Sequence, residues 1–305
     1  MKRFHLLSLA ALVVVTVFAS AMSVAADTNF VIVNENSIVG SGQPTSLIPG
    51  KWYRRYVAGV PWNSTQNLTD GAVNFVNGPG SAPLGTGSLA LETTEPGPTP
   101  TVLGGKATFF NYDWIGVSLS TIESVSFSSF TTISPVAASF QMEIYRNGTS
   151  KFSTVNVEPY LNTPAPPTNN LWQQYSAGVG LTGKVWLTGI PTGEGSQSLP
   201  ITWDRLLQLF PNATVIGGIG FNLGRATTVG VVNADVLSIS IGGNAVTYNF
   251  ENEITLADKD ACKGGGWMLS TAPVFVNQGD CVSHFASDGK ADDKADHKSE
   301  GKSKS

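Results

Sequence analysis

An all-β fold, an antiparallel β-sandwich, is what the sequence predicts, and three consecutive stretches between Ala213 and Glu251 predict it. In 215–223, Val215, Ile219, Phe221 and Leu223 share one parity, with Gly217 completing that face and Gly218, Gly220 and Asn222 opposite. In 235–241, Leu237, Ile239 and Ile241 stand against Ser238 and Ser240; in 246–251, Val246, Tyr248 and Phe250 stand against Thr247, Asn249 and Glu251. Alternation with period two marks strands that bury one face.

The elements before them follow the same rule. A short apolar run at Phe30–Val33 is a strand leading into a Gly- and Pro-rich loop. The cluster Trp52, Tyr53, Tyr56 and Trp62, with Arg54 and Arg55, reads as aromatic area covering one end of the sandwich rather than an exposed stacking surface. Strands are expected at 71–78, 85–92, 106–112, 124–128 and 141–145, with Pro96, Pro98 and Pro100 interrupting the chain in a loop. Asn147-Gly148 permits the positive φ of a tight turn, so 141–145 and 152–157 form a hairpin. After an exposed proline-rich loop at 162–170, short strands are expected at 171–175 and 184–188. One helix is predicted, over 203–210: Thr202 is its N-cap, Trp203, Leu206, Leu207 and Phe210 share a face, and Pro211 stops it. In all, about ten to twelve strands over roughly 225 residues suffice for one buried core, and the lack of βα alternation excludes a nucleotide-binding α/β fold.

The two ends differ from this middle. Residues 1–26 have a basic start (Lys2, Arg3), an apolar run from Leu6 to Ala21 and small residues at Ser23, Ala25 and Ala26, which is the pattern of a secretory signal peptide. No later segment is apolar for the roughly 18 residues of a spanning helix, so the mature chain is expected to be extracellular, without a transmembrane segment. In that oxidising setting Cys262 and Cys281 are expected to form a disulfide. Zinc, with His284 as a third ligand, is the competing reading, and it lacks the fourth ligand that a structural site needs. The domain plan is therefore a signal peptide at 1–26, a sandwich at 27–253, a two-cysteine module at 254–285 and a charged tail at 286–305, expected to be disordered.

The formal charge is −4, and −6 once Lys2 and Arg3 are removed with the leader (−4 − 2). A nucleic-acid partner wants a basic patch, and none is visible. With 13% charged residues and 33 Gly, the surface is neutral and polar.

Several segments carry a resemblance. Gly85-Thr86-Gly87-Ser88-Leu89-Ala90-Leu91, Phe110-Asn111-Tyr112-Asp113-Trp114 with 119–126 after it, Trp172, the Trp203 helix ending at Pro211-Asn212-Ala213, Asn222-Leu223-Gly224 and Ala234-Asp235-Val236 together resemble secreted bacterial jelly-roll proteins, related in shape to carbohydrate-binding and lectin-like sandwiches. The resemblance covers about residues 51–251, and its motifs are structural, so it implies a jelly-roll sandwich more than an activity. The segment from Asp258 through Cys262 and Trp267 to Phe275, Cys281 and Phe285 resembles a short two-cysteine module found at the ends of many secreted bacterial proteins.

Catalytic residues are poorly supplied. The Glu-x-Asp-x-x-Glu strand of sandwich glycosidases is absent, and Glu143 and Glu92 read as solvated strand residues. Of three histidines, His5 is in the leader, His297 in the tail and His284 beside the disulfide, which leaves little for a serine triad. Asp235 invites a structural calcium, but one Asp does not specify six or more oxygen ligands, and a backbone-capping role is preferred. No cofactor or metal is expected. The Asn-x-Ser/Thr triplets at Asn63, Asn67, Asn147 and Asn212 are not counted as glycosylated.

Binding is the sharper expectation. Tyr145, Trp172, Tyr175, Trp186 and Trp203 lie in or beside the middle strands, the first four being the expected ligand-binding residues, and Tyr145 and Trp186 have the parity opposite to their aliphatic neighbours. A sugar ring stacks on such an aromatic while Gln141, Gln173, Gln174 or Asn170 supplies hydrogen bonds. The expected function is therefore that of a non-catalytic binder of a polysaccharide or cell-surface glycan. The alternatives are a structural or adhesive protein that binds another protein, and a polysaccharide-active enzyme.

Overall fold

The computed structural model describes residues 30–41, 47–57, 71–93, 106–224, 230–270 and 273–292. The expected signal peptide, Trp62, the Pro96 to Pro100 loop, Asn63, Asn67 and the tail beyond 292 lie outside them.

Among the described residues fifteen strands form two sheets: β1 (Phe30–Val33), β2 (Ile38–Ser41), β3 (Trp52–Val57), β4 (Gly71–Asn77), β5 (Gly87–Thr93), β6 (Lys106–Asn111), β7 (Ile122–Thr131), β8 (Ser139–Tyr145), β9 (Phe152–Val157), β10 (Gln173–Gly178), β11 (Lys184–Leu187), β12 (Ile201–Thr202), β13 (Thr214–Gly224), β14 (Gly230–Ile241) and β15 (Asn244–Phe250). The eight-stranded sheet runs β12-β11-β9-β8-β13-β6-β3-β2. In the seven-stranded sheet β14 is the spine. One edge of β14 carries β7, with β10 outside it. The other edge is shared: residues 230–234 pair with β5 and 237–241 with β15, so those two strands lie end to end, flanked by β4 and β1.

The all-β sandwich, its short helix and its bridged C-terminal region are as the sequence predicts, while β2, β3, β12 and the first half of β14 were not expected. Pairing is antiparallel throughout except at two outer strands, where β1 runs parallel to β15 and β2 to β3. The sequence neighbours β13 and β14 belong to opposite sheets.

The core lies between the sheets, and the period-two residues fill it. Leu237, Ile239, Phe221 and Phe250 are buried, and Ile241 packs at its margin. Trp52 stacks on Phe109 at 4.9 Å, Phe221 meets Phe250 at 5.4 Å and Phe127 meets Phe221 at 5.6 Å, so aromatic contacts run from one sheet to the other. Large rings supply much of the apolar area a two-layer fold must bury. Helix α1 (Trp203–Leu209) begins with the Thr202 hydroxyl accepting the Arg205 N–H, and Trp203 Nε1 donates to the Ile122 carbonyl at 3.1 Å.

Cys262 and Cys281 are bonded to each other, with Cα atoms 5.9 Å apart. Phe275, Trp267, Leu256 and Phe285 pack around the bridge. Helix α2 (Gln278–Asp292) runs past Cys281 into the stretch expected to be disordered, so 286–292 are helical. No helix among the described residues is long and apolar enough to cross a membrane.

Candidate functional site

The outer face of the eight-stranded sheet holds the most developed set of polar and aromatic groups. Inward parity goes to Phe140 and Met142 on β8, Val155 and Val157 on β9, Phe221 and Leu223 on β13, and Ala107 and Phe109 on β6. Gln141, Asn156, Asn222 and Thr108 therefore face outward. Register aligns a row across six strands: Trp186 pairs with Asn156, Asn156 with Gln141, Gln141 with Gly220, Gly220 with Phe110 and Phe110 with Tyr53.

Hydrogen bonds link the middle of this row. Lys106 Nζ donates to Gln141 Oε1 at 3.3 Å, Gln141 Nε2 donates to Asn156 Oδ1 at 2.8 Å, and Asn156 Nδ2 donates to the carbonyls of Thr154 at 2.8 Å and Trp186 at 3.3 Å. Such a network fixes the amides in one orientation. Trp186 is part-exposed beside it, with its Nε1 buried and unpartnered among the described residues.

One row further along, where β8 begins and β9 and β13 end, a cavity of about 290 Å³ opens. Its polar lining is Ser139, Glu158, Tyr160, Gln197 and Asn222. Pro135, Val136 and Ala137 form an apolar side. Gln197 Nε2 donates to the Tyr160 hydroxyl at 2.6 Å, and the Tyr160 residue is 37% exposed. Asn222 is only 8% exposed; its Nδ2 donates to Ser139 Oγ at 3.4 Å, and its Oδ1 has no donor among the described residues. Burial pushes the Glu158 carboxyl up to about 7, against the pull of Lys106. Burial and the neighbouring Glu158 raise the Tyr160 hydroxyl, and the bond from Gln197 opposes them.

The structure divides the four aromatics expected to bind a ligand. Tyr145 and Trp186 both lie on this outer face, in rows four residues apart along β9, with Phe152 paired to Tyr145. Trp172 is on the outer side of the other sheet. It packs on Phe130 at 5.6 Å and donates Nε1 to the Pro79 carbonyl at 2.8 Å, which ties a loop down. Tyr175 is 1% exposed, packed on Phe127 at 5.8 Å, and has no face to offer a ligand. Of the amides, Gln141 belongs to the row, whereas Gln173 is buried and accepts the Thr168 N–H.

Two acids prove to be fasteners. Glu143 Oε2 accepts the Gly218 N–H at 2.8 Å, where β13 bulges between Val215 and Ile219, so it is not the solvated strand residue expected. Asp235 Oδ1 accepts the N–H groups of Val236 at 2.8 Å and Phe250 at 3.2 Å, and Oδ2 accepts that of Leu84 at 3.3 Å. These are donors where a calcium ion would need lone pairs, and they fit the capping role. Among the described residues no group of three or more His, Cys, Asp or Glu could hold a metal.

Sequence reasoning missed Glu158, Tyr160, Gln197 and Asn222. The available signal was Asn222, an amide inside an otherwise apolar and glycine run.

The molecule thus belongs to the class of two-sheet β-sandwich proteins. No protein-family description and no curated protein matches the chain. Among solved structures, a family 11 carbohydrate-binding module from Clostridium thermocellum, in complex with a β-1,3-1,4-mixed-linked tetrasaccharide, is similar over 63% of this chain and 89% of its own, with 11% identity and a TM-score of 0.34. An exo-β-agarase is similar over 59% of this chain and 24% of its own, with 12% identity and a TM-score of 0.33. At these values function has to be read from this chain's own residues.

Proposed function

We propose that this chain is a secreted, non-catalytic protein that binds a polysaccharide or cell-surface glycan on the outer face of its eight-stranded sheet. The observation that carries this reading is Trp186, a part-exposed ring next to the bonded amides of Asn156 and Gln141. A pyranose presents C–H faces to a ring and hydroxyls to amides, so an aromatic beside fixed donors and acceptors suits it. Tyr145 adds a second ring on the same face. The Cys262–Cys281 bridge and the leader-like start support an oxidising compartment.

A glycan array probed with the full chain tests the reading. At least one polysaccharide is retained, and Trp186→Ala weakens it about tenfold, the scale of one aromatic contact. An array without any bound glycan overturns it. The adhesive alternative is favoured by one observation, the exposed apolar residues of the C-terminal region: Met268 at 58%, Val274 at 61% and Val276 at 82%. Val276→Asp abolishes adhesion to protein-coated surfaces on that alternative, and leaves glycan binding intact on the first.

A further inference from the structure

The geometry points to the cavity between Tyr160 and Asn222 as a subsite that takes one neutral sugar residue, while the rest of the glycan runs along the row toward Trp186. This rests on the glycan reading above and names the place where specificity is set.

Three observations carry it. First, Asn222 Oδ1 is a buried acceptor without a donor among the described residues, on a residue more than nine-tenths buried that lines the cavity. Leaving such an atom unpaired is costly, and a small turn of the Asn222 side chain into the cavity would let a ligand hydroxyl pair it. Second, the space is limited. At about 290 Å³ it lies at the low end of small-molecule sites, roughly 300–1,000 Å³, enough for one ring and not for an oligosaccharide. Third, its charges are balanced. Glu158 is the one acid in the lining; burial raises its carboxyl to about 7, and the nearby Lys106 offsets the charge it carries when ionised. What remains favoured is a neutral, hydroxyl-rich ligand, with the Tyr160 ring for its apolar side and Gln197, Ser139 and Asn222 for its hydroxyls.

Position supports the same conclusion. Glu158, one residue past the end of β9, follows Asn156 by two residues, and Asn156 pairs with Trp186. The cavity and the Trp186 ring are therefore neighbouring stations on one face, about 7 Å apart along the strand direction.

Calorimetric titration of the full chain with tetrasaccharides of a glucan, a xylan, a mannan and a galactan tests the assignment. Tyr160→Ala and Asn222→Ser each weaken the bound tetrasaccharide about tenfold, with the thermal midpoint checked to show that the variants fold. In the unaltered protein the side-chain amide resonances of Asn222 and Gln197 shift on titration, a readout that needs no substitution. If Trp186→Ala weakens binding while Tyr160→Ala and Asn222→Ser bind as the parent and those resonances stay put, the subsite is overturned and the face reading stands. If no tetrasaccharide or polymer binds the parent protein, both fall.

Discussion

Asp235 and Phe250 are joined across a strand junction: the Asp235 carboxylate accepts the Phe250 N–H at 3.2 Å at the point where β5 and β15 meet end to end on β14. A junction of this kind leaves backbone donors without ladder partners. Asp235 takes those of Val236, Phe250 and Leu84, while Glu251 takes those of Thr86 and Gly87, the latter at 2.7 Å. Val236, where the β14–β7 register shifts between Asp235 and Ser238, has φ of 53°. Gly85 faces Glu251 so closely that any Cβ there would collide with the carboxylate. Two acids thus close the sheet where strand pairing fails.

Asp235→Ala strips three N–H groups of their acceptor at once, that of Phe250 buried and those of Val236 and Leu84 part-buried. An unsatisfied buried donor costs about 1–3 kcal/mol, so the loss is on the order of 3 kcal/mol or more. Urea unfolding checks it: the midpoint drops sharply for Asp235→Ala and less for Asp235→Asn, which keeps one acceptor oxygen. Equal effects of the two variants would refute the capping role.

Burial raises the carboxyls of Asp235 and Glu158 to about 7 each, from ordinary values of 3.8 and 4.5. Raised acids bind protons in the folded state that the unfolded chain has released, so their contribution is fully present below about pH 4 and fades as pH rises through 7. Glu194 and Asp260 shift downward, but they stand in solvent beside Arg205 and Lys263 and contribute little. The urea midpoint is therefore higher at pH 5 than at pH 8, and the difference shrinks in Asp235→Asn combined with Glu158→Gln. A midpoint that rises from pH 5 to pH 8 contradicts this.

Tyr175 holds a hydroxyl in the core with no partner among the described residues, and burial pushes it up to about 12. Tyr175→Phe removes the orphan and keeps the ring against Phe127. The variant is expected to unfold at a higher temperature, with a gain of about 1 kcal/mol. Destabilisation would mean that the hydroxyl has found a partner.

The alternation in 235–241 and 246–251 needed only local parity to be read, because one face of each strand enters the core. The Trp203 helix, with its cap and its proline stop, was equally local. What failed was long-range. Tyr175 and Trp172 are three residues apart with similar chemistry, yet one is interior and the other pins a loop, and only the β7–β10 pairing decides which. The Tyr160 and Asn222 cavity draws on segments more than sixty residues apart, and no spacing rule joins them. Bulges also escaped: Val215 and Ile219 are four residues apart while their partners Ile144 and Met142 are only two apart, a mismatch that local parity does not reveal.

That irregularity gives a fourth prediction. A Cβ on Gly218 would lie 2.7 Å from Phe110 Cβ, and one on Gly217 would lie 2.8 Å from Glu143 Cβ. Either methyl has to displace a side chain on the outer face, so Gly218→Ala costs about 1–3 kcal/mol. Glu143→Ala, which frees the Gly218 N–H, costs a similar amount. A double-mutant cycle on urea midpoints is expected to show that the two losses do not add, since both act on one bulge. Additive losses would separate them.

The Cys262–Cys281 bridge closes a loop whose ends are 19 residues apart around a small apolar cluster of Phe275, Trp267, Leu256 and Phe285. So few buried side chains cannot offset the ordering entropy of the segment, and the bridge supplies about 3 kcal/mol by limiting the unfolded chain. Cys262→Ser with Cys281→Ser is therefore expected to expose 258–285 to limited proteolysis while the main thermal transition of the sandwich stays within a few degrees of the parent. If both regions melt together at a lower temperature, the C-terminal segment is part of the sandwich's own cooperative unit.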